Sequence, residues 1–178
     1  FNVEWSNAQV SEKLYGRIEF ASAKETEALN IINTAFTVND SAQAILEIQD
    51  AKLFFNNKRW TIDTNNDNPI LVATSTSDFA FSNLNFMTET SAITADASQK
   101  GSDAFTIDVK FSNVYMNDLL SFQKNRWEGI VNGFLNIRQS PAGFGGNSNL
   151  HLSDLALNDV PLGEAALKLQ SNKDNQDY

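Results

Sequence analysis

The segment FAFSNLNF at residues 79 to 86 is the most informative part of the sequence, because its pattern occurs in three further places along the chain. The other copies are LEIQDAKL at 46 to 53, VKFSNVYM at 109 to 116 and LHLSDLAL at 150 to 157. Each copy places a polar pair between two apolar-x-apolar segments, and only the first copy has a small residue, Ala51, at the third apolar position. This alternation is typical of a β-strand with one buried and one solvent-facing side.

The polar pair in each copy predicts a bend in its strand. Phe81 and Leu84 are three positions apart, so a straight strand would turn them to opposite faces. A bulge adds one residue and bends the strand, which returns the apolar side chains to their original face. The sequence therefore predicts a repeatedly bent sheet that keeps one face apolar, with Phe81 and Leu84 on the same side.

The remaining sequence also predicts an all-β chain with short connections. Leu119, Leu120 and Phe122 are too crowded for simple alternation, so a short helix is predicted within 117–124 and nowhere else. Segments rich in Gly, Pro, Asn or Asp at 65–69, 99–103, 140–148 and 158–163 predict turns. Strands are predicted near 13–22, 30–38, 43–56, 58–63, 69–75, 78–87, 91–97, 104–116, 129–138, 148–158 and 163–171.

Length and composition are those of one domain with a substantial core. The chain has 178 residues, 42% of them hydrophobic, so we expect a single β unit over 1–178. It opens on Phe1 without a recognisable leader, which favours a segment of a longer protein. A run such as ILVA near residue 70 is far shorter than the roughly 18 apolar residues that a spanning helix needs.

The charge balance argues against two classes of partner. A formal net charge of -9 disfavours nucleic acid and anionic lipid headgroups, because both attract clustered Lys and Arg. The basic residues of this chain are scattered instead. The absence of cysteine excludes disulfides and thiolate metal sites, while saying little about the compartment.

Catalytic motifs do not emerge from the sequence. His151 lies between Leu150 and Leu152, so alternation turns it to the opposite, solvent-facing side. A triad needs a base, an orienting group and an oxyanion hole, and no nucleophile elbow or second histidine is present. We therefore expect no enzyme activity and no cofactor.

One segment has a weak likeness to a calcium loop. Asp63, Asn65 and Asp67 have the spacing that opens such a loop. However, Asn68 stands where a glycine is expected and Thr74 where a bidentate glutamate is expected. A polar hairpin loop explains the segment better, and no metal site is assigned.

Two arrangements could cover the apolar face. A second sheet could close over it, which would make a β-sandwich. Alternatively, the sheet could curl into a trough that holds lipid tails, with a gain of about 0.8 kcal/mol per buried methylene. Periodicity alone leaves both arrangements open.

The motifs in order resemble a known family. The tracts are AKLFFNNKRWTI at 51–62, FAFSNLNF at 79–86, FTIDVKFSNVYMNDLLSF at 105–122, RWEGIVNGFLNI at 126–137 and NLHLSDLALNDVPLGEAALKLQSN at 149–172. Together they resemble the C-terminal translocation and assembly module region of TamB and its AsmA-like relatives in Gram-negative envelopes. The last tract is similar to the family's recurring strand pair joined by Asn-x-x-Pro-Leu-Gly.

This resemblance implies an elongated, curved sheet folded into a taco-like hydrophobic groove. It implies a parent protein anchored in the inner membrane that spans the periplasm, conducts phospholipid acyl chains and supports outer-membrane protein assembly with an Omp85-type barrel. It implies no catalytic residue. Carried over position by position, the alternation puts these residues on the inner, lipid-binding wall: Phe79, Phe81, Leu84, Phe86, Ile107, Val109, Phe111, Leu150, Leu152, Leu155 and Leu157.

A β-helix or sandwich domain of a secreted carbohydrate-active enzyme or adhesin is the alternative of another class. An enzyme of that kind should cluster carboxylates on one strand face. Asp96, Asp103 and Asp108 are instead spread over turns and opposite phases. The sequence thus favours the lipid-binding groove.

Overall fold

A computed structural model describes residues 2–7, 13–21, 29–55, 58–62, 70–75, 78–120, 125–141 and 143–171. In these residues the chain forms one antiparallel sheet of twelve strands and a single four-residue helix, α1 (Met116–Leu119). The strands are β1 (Asn2–Asn7), β2 (Leu14–Ala21), β3 (Leu29–Val38), β4 (Ala44–Phe55), β5 (Lys58–Ile62), β6 (Ile70–Ser75), β7 (Asp78–Met87), β8 (Ala92–Lys100), β9 (Ala104–Tyr115), β10 (Trp127–Ser140), β11 (Gly143–Leu157) and β12 (Val160–Gln170).

The sheet is a meander in which strands that follow one another in sequence also pair in space. The exception is β5 and β6, which share one position between β4 and β7. The first part of β4 pairs with β6 and its last part pairs with β5. The all-β prediction is confirmed, and the described strands form one sheet rather than the two separate sheets of a sandwich.

The eleven predicted strands are all present, together with one further strand and several shifted ends, among them β8, which continues to Lys100 instead of ending at 97. Strand β1 was not predicted, because six residues near the chain start carry little alternation. Strand β11 begins at Gly143 rather than at 148, since the glycine-rich segment pairs with β10 up to Ser140↔Gly143. Strand β12 begins at Val160 rather than at 163, directly after a tight turn at 158–159. The short helix predicted within 117–124 is present as α1, which begins one residue earlier at Met116. Residues 121–124 of that prediction lie outside the described part of the chain.

The predicted bulges are confirmed by the register of the sheet. Phe81 pairs with Ala97 and Leu84 with Ala95, so two residues of β7 lie opposite one residue of β8. Because positions 95 and 97 of a regular strand share a face, Phe81 and Leu84 face the same side. The same offset occurs at 112–113 against β10 and at 153–154 against β12, and β4 has one extra residue near 49 opposite β3.

The second residue of the polar pair supplies the backbone geometry of at least two bulges. Asn113 and Asp154 have φ of 50° and 53°, a left-handed conformation that Asn and Asp adopt more readily than most residues. The Asn113 N–H donates to Asn132 Oδ1 at 2.8 Å, and its carbonyl accepts from Ser91 Oγ at 2.7 Å. The second residue of the pair therefore suits the left-handed backbone that these two bends need.

The core shows that the sheet curls. Leu53 on β4, Trp60 on β5 and Val114 on β9 form a buried cluster with exposed fractions of 6%, 2% and 0%. Strands β5 and β9 are three steps apart in the sheet, which in a flat sheet would be about 14 Å. The apolar contact between them requires the sheet to bend toward the face that carries these side chains.

Candidate functional site: an apolar groove

The candidate site is the concave side of the sheet, on which the predicted wall residues such as Phe81 and Leu84 lie. We call this side the apolar face. Directly paired residues of neighbouring strands point to the same side, so the register assigns a face to each strand residue. Following the pairs from β7 through β8, β9 and β10 to β11 places all eleven predicted wall residues on this one face. The register therefore gives these eleven residues a common face, and their role as a lipid-binding wall stays a prediction.

The opposite face is polar and carries nearly all the charge. Paired positions on it include Arg17, Lys52, Asp108 and Lys110. Among the described strands, and leaving aside Asp154 inside its bulge, Lys58 is the one charged residue on the apolar face. The sheet is thus most clearly amphipathic from β7 to β12, and its curl places the apolar side within.

One end of the groove, which we call the packed end, is filled by side chains. The cluster of Leu53, Trp60 and Val114 lies there, and Phe86, Phe111 and Leu119 of α1 pack against it. Further along the sheet, Val131 and Leu155 are also buried on the apolar face. The packed end therefore behaves as an ordinary hydrophobic core.

An ion pair ties the two sides of the packed end together. Lys58 Nζ lies 2.9 Å from Asp118 Oδ2 of α1 and 3.9 Å from the centre of the Tyr115 ring. The Asp118 side chain is only 1% exposed, and its Oδ1 has no hydrogen-bond partner. A buried carboxylate needs such a cation, because an uncompensated buried charge is strongly destabilising. Lys58 thus holds the start of β5 against the end of β9.

The other end of the same face, which we call the open end, is accessible. Ile107 is 38% exposed and Phe144 is 72% exposed. A cavity of about 320 Å³ opens there, and its apolar wall is formed by Leu135, Ile137, Phe144 and Leu169. A mostly apolar concavity of this size is in the range of small-molecule sites. The open end therefore has room for an apolar ligand.

The eleven predicted wall residues differ in burial along the groove. Leu155 is buried and Ile107 is exposed. The other nine are half-buried: Phe79, Phe81, Leu84, Phe86, Val109, Phe111, Leu150, Leu152 and Leu157. Of these, Phe86 and Phe111 belong to the packed end, since they contact its cluster. The other seven half-buried residues, together with the exposed Ile107, can form a ligand surface.

Sequence reasoning missed part of the wall because it followed the repeat copies. Strand β10 carries no copy, yet Leu135 and Ile137 lie on the apolar face opposite Val109 and Ile107. Their alternation with Val131 was a visible signal. Leu53, Trp60 and the Lys58–Asp118 pair could not be found in this way, since they depend on a contact between distant strands.

A glycine lets β10 and β11 approach closely in the groove wall. Gly133 has φ of 122°, and a Cβ on it would collide with the main chain of Asn149. Gly133 pairs with both Phe111 and Leu150, so it lies in the middle of the apolar face. The lack of a side chain leaves space between these two larger residues.

The described residues include no assembly of the kind needed for metal chemistry. No group of three or more His, Cys, Asp or Glu side chains there could hold a metal ion. His151 is exposed on the polar face, as predicted. The loop with Asp63, Asn65 and Asp67 lies outside the described residues. No helix in the described part of the chain is long and apolar enough to cross a membrane.

Comparison with protein-family models, with curated proteins and with solved structures finds no match for this chain. The resemblance to TamB and its AsmA-like relatives therefore rests on the sequence motifs alone and stays a hypothesis. The groove itself is therefore the basis for a functional proposal.

Proposed function

We propose that the chain binds the acyl chains of phospholipids in its apolar groove. The observation that carries this proposal is a mainly apolar face that extends from β7 to β11 and stays half-exposed beyond its packed end. Such a surface costs free energy in water, and a hydrocarbon chain removes that cost at about 25 cal/mol per Å² of apolar area. An acyl chain matches it in both shape and polarity.

The chemistry of the groove favours tails over headgroups. Lys58 is its one cation among the described strands, and it is already paired with Asp118. Headgroup selection by charge thus has no basis in the apolar face, whereas burial of methylenes gives about 0.8 kcal/mol each. Affinity is expected to rise with acyl length and to vary little with headgroup.

The proposal includes the cellular role that the TamB-like motifs imply. In this role, the chain is a segment of a longer envelope protein that is anchored in the inner membrane and bridges the periplasm. Its groove carries phospholipid toward the outer membrane, and the parent works with an Omp85-type barrel in protein assembly. The role is binding and conduction, with no catalytic step.

Site-specific photo-crosslinking tests the binding proposal. Photoreactive residues at Phe79, Val109 and Leu152 lie on the apolar face, and matched ones at Asn85 and His151 lie on the polar face. Incubation with phospholipid vesicles followed by mass spectrometry should detect lipid adducts at the first set only. Equal capture at both sets, or no capture by folded protein, would rule out the groove as the lipid site.

A further inference from the structure

Strand β12 is an edge strand of the sheet, and no strand of the described residues pairs with its outer side. It is the last strand in the pairing order, and all its eleven residues are exposed. Leu167 and Leu169 lie on the apolar face opposite Leu150 and Ser148, and they are 45% and 53% exposed. A long, exposed edge with apolar side chains is a template for pairing with another strand.

Hydrogen bonds show which main-chain groups of β12 point outward. The Ser171 N–H donates to the Gly146 carbonyl at 2.9 Å, and the Leu169 N–H donates to Ser148 Oγ at 3.2 Å. The main-chain N–H and C=O groups of the odd-numbered residues from 165 to 171 therefore point toward β11. By strand alternation, the N–H and C=O groups of Glu164, Ala166 and Lys168 face away from the sheet.

These outward groups define the strand that would fit. Glu164 and Lys168 are both on the polar face, because their neighbours Ala165 and Leu167 pair with Leu152 and Leu150. A partner must therefore offer a cation opposite Glu164 and an anion opposite Lys168, with apolar side chains on the other face.

Strand β12 is its own complement in this sense. We propose that the chain dimerises through antiparallel pairing of two copies of β12 about a two-fold axis at Ala166. In this register Glu164 of each copy meets Lys168 of the other, and both residues present outward main-chain groups, so each pair exchanges its main-chain hydrogen bonds. Ala165 meets Leu167 on the apolar side, so the apolar faces of both copies join.

The competing edge offers a poorer match. Strand β1 has only six residues and one charged side chain, Glu4. Pairing of β12 with β1 of another copy would be head-to-tail, which produces rings or open filaments rather than a dimer closed by one two-fold axis. Pairing of β12 with itself closes at the dimer and satisfies both charges.

A charge-swap experiment with the 178-residue chain tests the proposal. Sedimentation velocity should show a concentration-dependent dimer. Glu164→Lys or Lys168→Glu each place like charges opposite one another twice, so each should weaken dimerisation about tenfold. The double variant Glu164→Lys/Lys168→Glu restores opposite charges and should dimerise like the unmodified chain. A monomer at all concentrations, or a double variant as weak as the single ones, would overturn the proposal.

A disulfide experiment tests whether the two-fold axis lies at Ala166. The chain contains no cysteine, so a single introduced thiol reports only contacts between copies. Residues in a hydrogen-bonded antiparallel pair have Cα atoms about 5.5 Å apart, which suits a disulfide. Ala166→Cys should therefore form covalent dimers on mild oxidation far faster than Ala80→Cys, a control exposed on the polar face of β7. Equal rates for both variants would contradict this register.

Discussion

Replacing leucine by alanine at the two ends of the groove should give very different losses of stability. Leu53 is 6% exposed within the packed-end cluster, whereas Leu150 is half-buried on the same face. Leu→Ala removes roughly three methylene equivalents, or about 2.4 kcal/mol at about 0.8 kcal/mol each when the site is fully buried. A residual cavity adds to this at Leu53, so the expected loss there is about 3 kcal/mol.

The loss at Leu150 should be smaller for two reasons. About half of the transfer free energy is already forgone in the folded state, and an open groove leaves no sealed cavity behind. The expected loss is therefore about 1 kcal/mol. Urea unfolding of both variants, monitored by circular dichroism, gives the free energies of unfolding, provided that the slope with urea is unchanged. Equal losses, or a larger loss at Leu150, would refute the distinction between a packed and an open end.

Three further predictions concern the bulge, the wall and the ion pair. Asn113→Val should destabilise the fold by about 1–2 kcal/mol, because a β-branched residue is strained at positive φ, while Asn113→Gly should be close to neutral; chemical denaturation distinguishes them. Phe81→Glu should leave the circular dichroism spectrum intact and abolish binding of a fluorescent fatty acid. Phe111→Glu should instead unfold the chain, because Phe111 packs on the core. Unfolding of both variants would favour a continuous core. Lys58→Met should lower the free energy of unfolding by about 1–3 kcal/mol, because it leaves Asp118 unpaired. Adding Asp118→Asn should recover most of this loss, which thermal unfolding of both variants measures. No recovery would contradict the role of the ion pair.

The bulges and the apolar face could be predicted from the sequence because short sequence repeats determine them. The step of three between Phe81 and Leu84 requires an extra residue if both are to face the same side. The Ser-Asn and Ser-Asp pairs supply residues that tolerate the backbone this needs. The bulges and the common face of the eleven wall residues follow from these two facts.

The depth of the curl could not be predicted in the same way. It depends on Trp60 reaching Val114 and on Lys58 reaching Asp118, which are 54 and 60 positions apart in the sequence. Neither pair has a sequence pattern that links its members. The same limit applies to β12, whose start at Val160 was hidden in a segment that predicted a turn, so the accessible edge was found only from the pairing.

The two proposals use different groups of the same surface and do not compete. An acyl chain would lie on the side chains of the apolar face, such as Leu135 and Leu150, whereas a second β12 would use the outward N–H and C=O groups of the sheet edge. Pairing at the edge would also place Leu167 of each copy beside Ala165 of the other, so that two grooves become one wider apolar surface. The packed end supports both arrangements, because Trp60 and Val114 hold the curl without occupying the open end. A sheet that curls fully onto itself would bury its wall, and a flat one would lose the concavity. The partial curl in this chain combines a packed core with an apolar surface that is half-exposed in the described residues.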